Sequence, residues 1–355
     1  MELQKFIDNN RDYIDLFKKN NLKVKKNKNN LILVTKRYND NSIVKEDEYW
    51  KMYCRGSVID TSTNKLICIP PVKSELIDNI DNHLEYEEVQ ELIDGTMINL
   101  FYHKDEWIIS TRSDIRGYNK WNNKSFKDMF NECFTYEYEN LIKTNCYSFV
   151  MRHVDNRNIS KIDKNDLYLV EMYDLHNKIE RLSSNQFPKY FKSVQNLVSL
   201  EVKSEIDNFS NDYNFNIKGY TIKNDSKRYK IINPHYEKVK NLKINYSNDL
   251  ISYIELRKNG NLKDYLNYFP EKNKLFISYR DKIHILSNDL YSNYKELFIY
   301  KTKEKKDVPY HLKPFIYELH SRYLRNKSPT TWQDIKDYIH NLPSKRLVFS
   351  INYMK

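Results

Sequence analysis

The chain has 355 residues and an apolar fraction of 40%, enough for two domains, or one with a large appendage, around a real core; no stretch approaches a membrane span. Its four cysteines, Cys54, Cys68, Cys133 and Cys146, form no CxxC pair, which argues against a zinc site or a disulfide framework and for free thiols in a reducing, cytoplasmic setting. Lysine and arginine number 59 against 48 aspartates and glutamates, and the net +11 favours a polyanionic partner, although an abundance of Lys, Asn, Ile and Tyr also follows from an AT-rich genome.

The opening MELQKFIDNNRDYIDLFKKNN puts Leu3, Phe6, Ile7, Ile14 and Phe17 on one face of a helix and lacks the apolar block of a secretory signal. A basic, Asn-rich run over 18–30 reads as a solvated loop, so 1–30 is an N-terminal helix and basic loop. From 31 to 234, β-branched and aromatic runs dominate. GSVID, KLICIP, MINLFY, EWIISTR, YSFVMRHV, LYLVEMY, KGYTIKN and RYKIIN read as strands, several in hairpins with polar turns. Helical patches intervene over 124–142 and 185–200. Strands and helices do not alternate regularly, so the pattern predicts an α+β domain of antiparallel sheets over 31–235.

From His235 the apolar period changes to 3.6 in NDLISYIELRKNG, KLFISYRDKIHILSNDLYSNYKELFIYK, HLKPFIYELHSRYLR and TTWQDIKDYIHNLP. The last starts with a Thr331-x-x-Asp334 capping box and stops before Pro343. These segments predict an all-helical, basic C-terminal domain over 236–355.

Only five glycines occur, and three follow a charged residue inside strand patterns: Arg55-Gly56, Asp94-Gly95 and Lys218-Gly219. Glycine this scarce is expected where a positive φ forbids a side chain. The order and spacing of these pairs resemble the covalent nucleotidyltransferases, and among them the RNA ligases of the T-even phage type, whose core the capping guanylyltransferases share. The resemblance covers 53–242. It implies a ligase/guanylyltransferase-type nucleotidyltransferase domain of antiparallel sheets, followed by the all-helical C-terminal domain.

The resemblance also implies a loss. The family's first motif is lysine, any residue, aspartate, glycine, and its lysine amine attacks the α-phosphate of a nucleotide. The matching residues here are Leu92-Ile93-Asp94-Gly95, and leucine has no lone pair to attack with. Counting back from Asn156-Arg157 puts Val150 at the third motif's glutamate. Lys218 replaces the fourth motif's glutamate, and the two lysines of the fifth correspond to Lys230 and Ile232. Across these five positions the family pattern carries +1 and this chain +2. No catalytic residue is expected, and with the carboxylates gone no metal is expected either; His103, His153 and His235 show no metal spacing.

The implied site is one of binding. Arg55, Lys73, Lys218 and Lys230 are the expected phosphate ligands, Asp94 a ligand-facing turn residue, and Phe101, Trp107 or Trp121 the ring that stacks on a base. The expected ligand is RNA, at a 5′ end or mRNA cap, with no cofactor beyond a bound nucleotide or cap and no membrane. Composition and resemblance together point to a large cytoplasmic DNA virus, to the host cytoplasm or a viral factory as the place of action, to viral mRNA translation or processing as the role, and to other viral proteins as partners of the helical domain. Two alternatives stay open: an active RNA ligase or capping guanylyltransferase with a relocated lysine, for instance Lys73 or Lys230, and a protein-recruiting scaffold whose cleft is vestigial.

Overall fold

The computed structural model describes residues 1–37, 46–80, 86–118, 124–210, 214–224, 227–244, 246 and 248–353. It divides into two compact units, Met1–Lys238 and Val239–Lys355.

The first unit opens with α1 (Glu2–Asn9) and α2 (Tyr13–Lys19) in place of the single helix that the apolar spacing predicts. Asn10 breaks it: its backbone is extended, and its side-chain amide donates to the Phe6 carbonyl oxygen at 2.8 Å, the competition with helical bonding that asparagine favours. Leu3, Ile7 and Phe17 still share one core, where Phe6 stacks on Trp50. β1 (Leu22–Lys26) occupies the run expected to be a solvated loop. Leu22 is buried and Val24 half-buried, while Lys23, Lys25 and Lys26 are exposed, a lysine-rich edge strand that resists edge-to-edge association. It begins an antiparallel sheet with β2 (Leu31–Lys36), β3 (Arg55–Asp60) and β4 (Lys65–Cys68), in that order.

β5 (Glu75–Leu76) and β6 (Glu88–Glu91) belong to a second sheet that the chain completes later. Before returning to it, β7 (Thr96–His103), β8 (Glu106–Ser110), β9 (Asn145–Arg152), β10 (Asp166–Asp174) and β11 (Glu180–Leu182) form an antiparallel sheet in the order β11-β10-β9-β7-β8. One of its faces, with Ile98, Leu100, Tyr147 and Phe149, packs on Met129 and Phe130 of α3 (Phe126–Cys133). The helical patch read over 124–142 is thus confined to its first half. Over 185–198 the predicted helix gives way to the single turn Ser184–Gln186, because Pro188 restricts Phe187 to extended backbone; α4 (Ser199–Asp207) starts only afterwards.

β12 (Gly219–Lys223) and β13 (Arg228–Ile232) then complete the second sheet, ordered β5-β13-β12-β6, and α5 (Pro234–Leu242) follows. The two-residue period divides its side chains cleanly. Val89, Tyr220, Ile222 and Ile231 pack on Val202 of α4, which leaves Glu88, Gln90, Thr221, Lys223, Arg228 and Lys230 to the opposite face.

The second unit is helical: α6 (Asp249–Lys258), α7 (Leu262–Tyr268), α8 (Asn273–Tyr294), α9 (Lys313–Asn326), α10 (Trp332–Asn341) and α11 (Ser344–Tyr353). α8 runs into a π-helical turn, Lys295–Ile299, and α10 begins with the Thr331–Asp334 capping box read from the sequence. Among the described residues no helix is long and apolar enough to cross a membrane.

Candidate functional site

A recess of about 180 Å³ lies between the five-stranded sheet and the second sheet, within the first unit. Its aliphatic wall is Ile93 together with Met97 of β7, Val150 of β9 and Val170 of β10, and Lys218, Thr221 and Arg228 face it from the second sheet. Leu92 lines it too, and its backbone N–H donates to the Gly219 carbonyl oxygen at 2.8 Å, which seats the β6–β7 connection beside the start of β12. Leu92, Val150 and Lys218, singled out from three separate motifs, therefore meet in one cavity.

Gly95 turns this connection, but positive φ is not the reason for it. A Cβ there would stand 2.5 Å from the Met151 carbonyl oxygen and 2.7 Å from a Val150 methyl, so close passage across β9 demands glycine. Asp94, expected to face the ligand, is occupied elsewhere. Its Oδ2 accepts the backbone N–H groups of Ile159 at 2.9 Å and Ser160 at 3.0 Å, its Oδ1 accepts the Tyr236 hydroxyl at 2.7 Å, and Lys218 Nζ stands 3.6 Å away. Burial raises its pKa, yet Lys218, Tyr236 and the two N–H groups together bring it below the ordinary carboxylate value. Asp94 is a clamp that positions Lys218 and α5.

Of the other expected phosphate ligands, Lys218 lines the recess and Lys230 lies on the cleft face of β13, two residues from Arg228. Lys73 is exposed on the β4–β5 connection and does not line it. The side chain of Arg55, the first residue of β3, makes no hydrogen bond or ion pair among the described residues. Its pKa is pushed down to about 10, first by burial and then by Arg112 and Arg228, two more cations within reach. Gly56, at φ +108°, lets β3 pass close to the segment that follows β8: a Cβ there would meet the Arg112 Cα at 2.8 Å.

Two of the three expected stacking rings, Phe101 and Trp107, do not face the recess. Phe101 is 1% exposed and packed among Leu33, Val58 and Ile108, with no face left for a base. Trp107 pairs with Tyr102 across the β7–β8 ladder, on the face of the sheet that carries Ile98 and Leu100 and packs on α3, away from the recess. Trp121 lies outside the described residues. The recess is also not free of carboxylates, since Glu91 stands at its wall. Among the described residues no three His, Cys, Asp or Glu side chains gather as a metal would require.

The motif comparison misses a buried ionic cluster beneath the recess. Arg228 Nη1 donates to Glu171 Oε2 of β10 at 2.9 Å, and Arg181 of β11 pairs with Glu88 of β6, so both contacts cross between the two sheets. Lys223 Nζ donates to the Val170 carbonyl oxygen at 2.9 Å and stands 3.3 Å from Glu88 and 3.8 Å from Glu171. Lys223 is 1% exposed, and burial pushes its pKa down to about 8. Burial opposes ionisation of Glu88, but Lys223, Ser184 and Arg181 outweigh it and hold the carboxyl at about 2. Lys223, Arg181 and Arg228 meet Glu88 and Glu171 here, Arg181 also reaches Glu87 at 3.7 Å, and Arg55 adds a further positive charge nearby. The sequence signal was available in Glu171, a carboxylate between Val170 and Met172 in an otherwise apolar strand, which needs buried cationic partners.

No family model matches this chain, and no curated protein does. Among solved structures it is similar to an archaeal ATP-dependent RNA ligase, at a TM-score of 0.47 and 10% identity over 92% of this chain and 85% of the other. A candidate ATP-dependent DNA ligase from Aquifex aeolicus gives a TM-score of 0.46 and 15% identity over 88% and 80% of the two chains. An RNA ligase of Naegleria gruberi gives 0.28 and 14% over 47% and 61%. These likenesses are coarse, and the site stands on its own side chains.

Proposed function

We propose that this chain is a ligase-like nucleotidyltransferase in architecture that holds a nucleotide-bearing RNA end, a 5′ terminus or cap, without forming a covalent bond to it. The observation that carries this reading is the meeting of Leu92, Val150 and Lys218 in one recess. An aliphatic group stands where an attacking amine is needed, and a valine and a lysine stand where carboxylates would draw in a divalent cation. That donor set does not fit a metal, and no step through one is derived.

The volume limits what enters. At about 180 Å³ the recess is smaller than a cleft for a drug-sized ligand, so it admits a base and leaves the phosphates outside. Aliphatic contact from Ile93, Met97, Val150 and Val170 replaces the aromatic stacking expected from the sequence. Arg55, which meets no carboxylate among the described residues, is the natural phosphate ligand, beside the buried ionic cluster.

One observation favours a second reading: Lys218 brings an amine into the recess that holds Leu92, from the neighbouring strand. Incubation with α-labelled ATP or GTP and Mg²⁺, followed by denaturation, separates the two. No retained label is the expected result. Label that survives denaturation and disappears in Lys218→Ala assigns covalent chemistry to that lysine and overturns the binding reading. Capped, 5′-phosphorylated and 5′-hydroxyl RNAs compared in a binding assay then identify the end that is held.

A further inference from the structure

The two units divide the charge of the chain very unequally. Val239–Lys355 carries 22 lysines and arginines against 12 aspartates and glutamates, a net +10, whereas Met1–Lys238 carries 37 against 36, a net +1. The basic character of the whole chain is therefore that of its helical third. Exposed rings gather in the same place: among the described residues, seven of the nine exposed aromatic side chains belong to this unit.

Some of these rings form a row. On α11, Lys345, Phe349 and Tyr353 succeed one another every fourth residue and share one outward face. The Phe349 and Tyr353 rings are 5.4 Å apart between centroids, and the Tyr310 ring stands 6.1 Å from Tyr353. Their exposures of 70% for Tyr310, 55% for Phe349 and 51% for Tyr353 leave wide apolar surface in water, which is unfavourable unless something covers it. A second copy of this chain is a poor cover, because two surfaces of the same strong charge repel each other. A polyanion with flat bases satisfies both features at once.

We propose that the helical unit binds single-stranded nucleic acid along this row, with bases stacked on Tyr310, Phe349 and Tyr353 and phosphates held against Lys345 and the other exposed cations of the unit. The row uses no residue of the recess, so the two sites are tested separately. The measurement is fluorescence anisotropy of labelled oligouridylate and, in a parallel arm, oligodeoxythymidylate, with the full chain. Replacing Tyr310, Phe349 and Tyr353 together by serine should weaken binding about tenfold or more while the dependence on salt persists. Lys345→Ala should instead reduce the slope of log affinity against log salt by about one. Stronger binding of the RNA strand assigns RNA as the natural ligand, and equal binding assigns any single strand. Unchanged affinity in the folded triple variant overturns the proposal. So does failure of the intact chain to bind either strand, or a change of the triple variant from dimer to monomer in sedimentation, which would give the face to a second copy.

Discussion

Arg228 lowers the pKa of Arg55, but among the described residues only Arg228 is matched by a carboxylate, so breaking the Glu171–Arg228 pair and removing Arg55 should have opposite consequences. Glu171→Ala leaves buried cations without their shared carboxylate and should cost about 3 to 5 kcal/mol in urea denaturation. Arg55→Ala removes a charge that burial and two neighbouring arginines already oppose; the urea midpoint should hold or rise, while affinity for a 5′-phosphorylated or capped RNA falls about tenfold or more. Glu88 should contribute to the acid limb of stability, beside Asp94. Its folded pKa of about 2 lies below the ordinary 4.5, so its contribution is complete above 4.5 and is lost as pH falls towards 2. Lys223 acts at the other end: with a folded pKa of about 8 against 10.5, its charged form is disfavoured in the fold, and stability should rise as pH climbs from 8 towards 10.5. Denaturation midpoints across pH test both; Glu88→Gln should make the acid limb shallower and, because Glu88 raises the Lys223 pKa, should start the alkaline rise at lower pH.

Among the elements, those with a strong period were legible and those that depend on a single interrupting residue were not. The strands from β3 to β13 that carry apolar runs stand where the sequence places them, and so do the helices α6, α8, α9 and α10. The alternation in Leu22-Lys23-Val24-Lys25 is present in the sequence but hidden by its lysines and asparagines, which resemble loop composition; burial of two apolar side chains against β2 decided for a strand. Asn10 and Pro188 each cut a helix that apolar spacing alone would continue. Where local chemistry is explicit, the sequence is a good guide. The Thr331 hydroxyl accepts the Asp334 backbone N–H and the Asp334 carboxylate returns a bond to the Thr331 N–H, so Thr331→Ala should lower stability by about 0.5 to 2 kcal/mol, read from the thermal midpoint.

At the scale of the molecule, the recess was half legible. Motif order correctly grouped Leu92, Val150 and Lys218, since strands that pair in a fixed register carry spaced residues to a common place. It misjudged Phe101 and Trp107, because only the pairing of β7 with its neighbours decides which ring is enclosed and which lies on the far face. It also missed Glu88, Lys223 and Arg228, for which the partners lie far apart in the chain. The cross-sheet ion pairs bear on how the recess receives its guest. Glu171 with Arg228 and Glu88 with Arg181 act as struts of fixed length between two walls, and parting the walls would strand charges in a dry interior. If the recess holds an RNA end as proposed, its opening is set before that end arrives, and a terminus that carries a bulkier base should be refused outright instead of being accommodated by a wider gap.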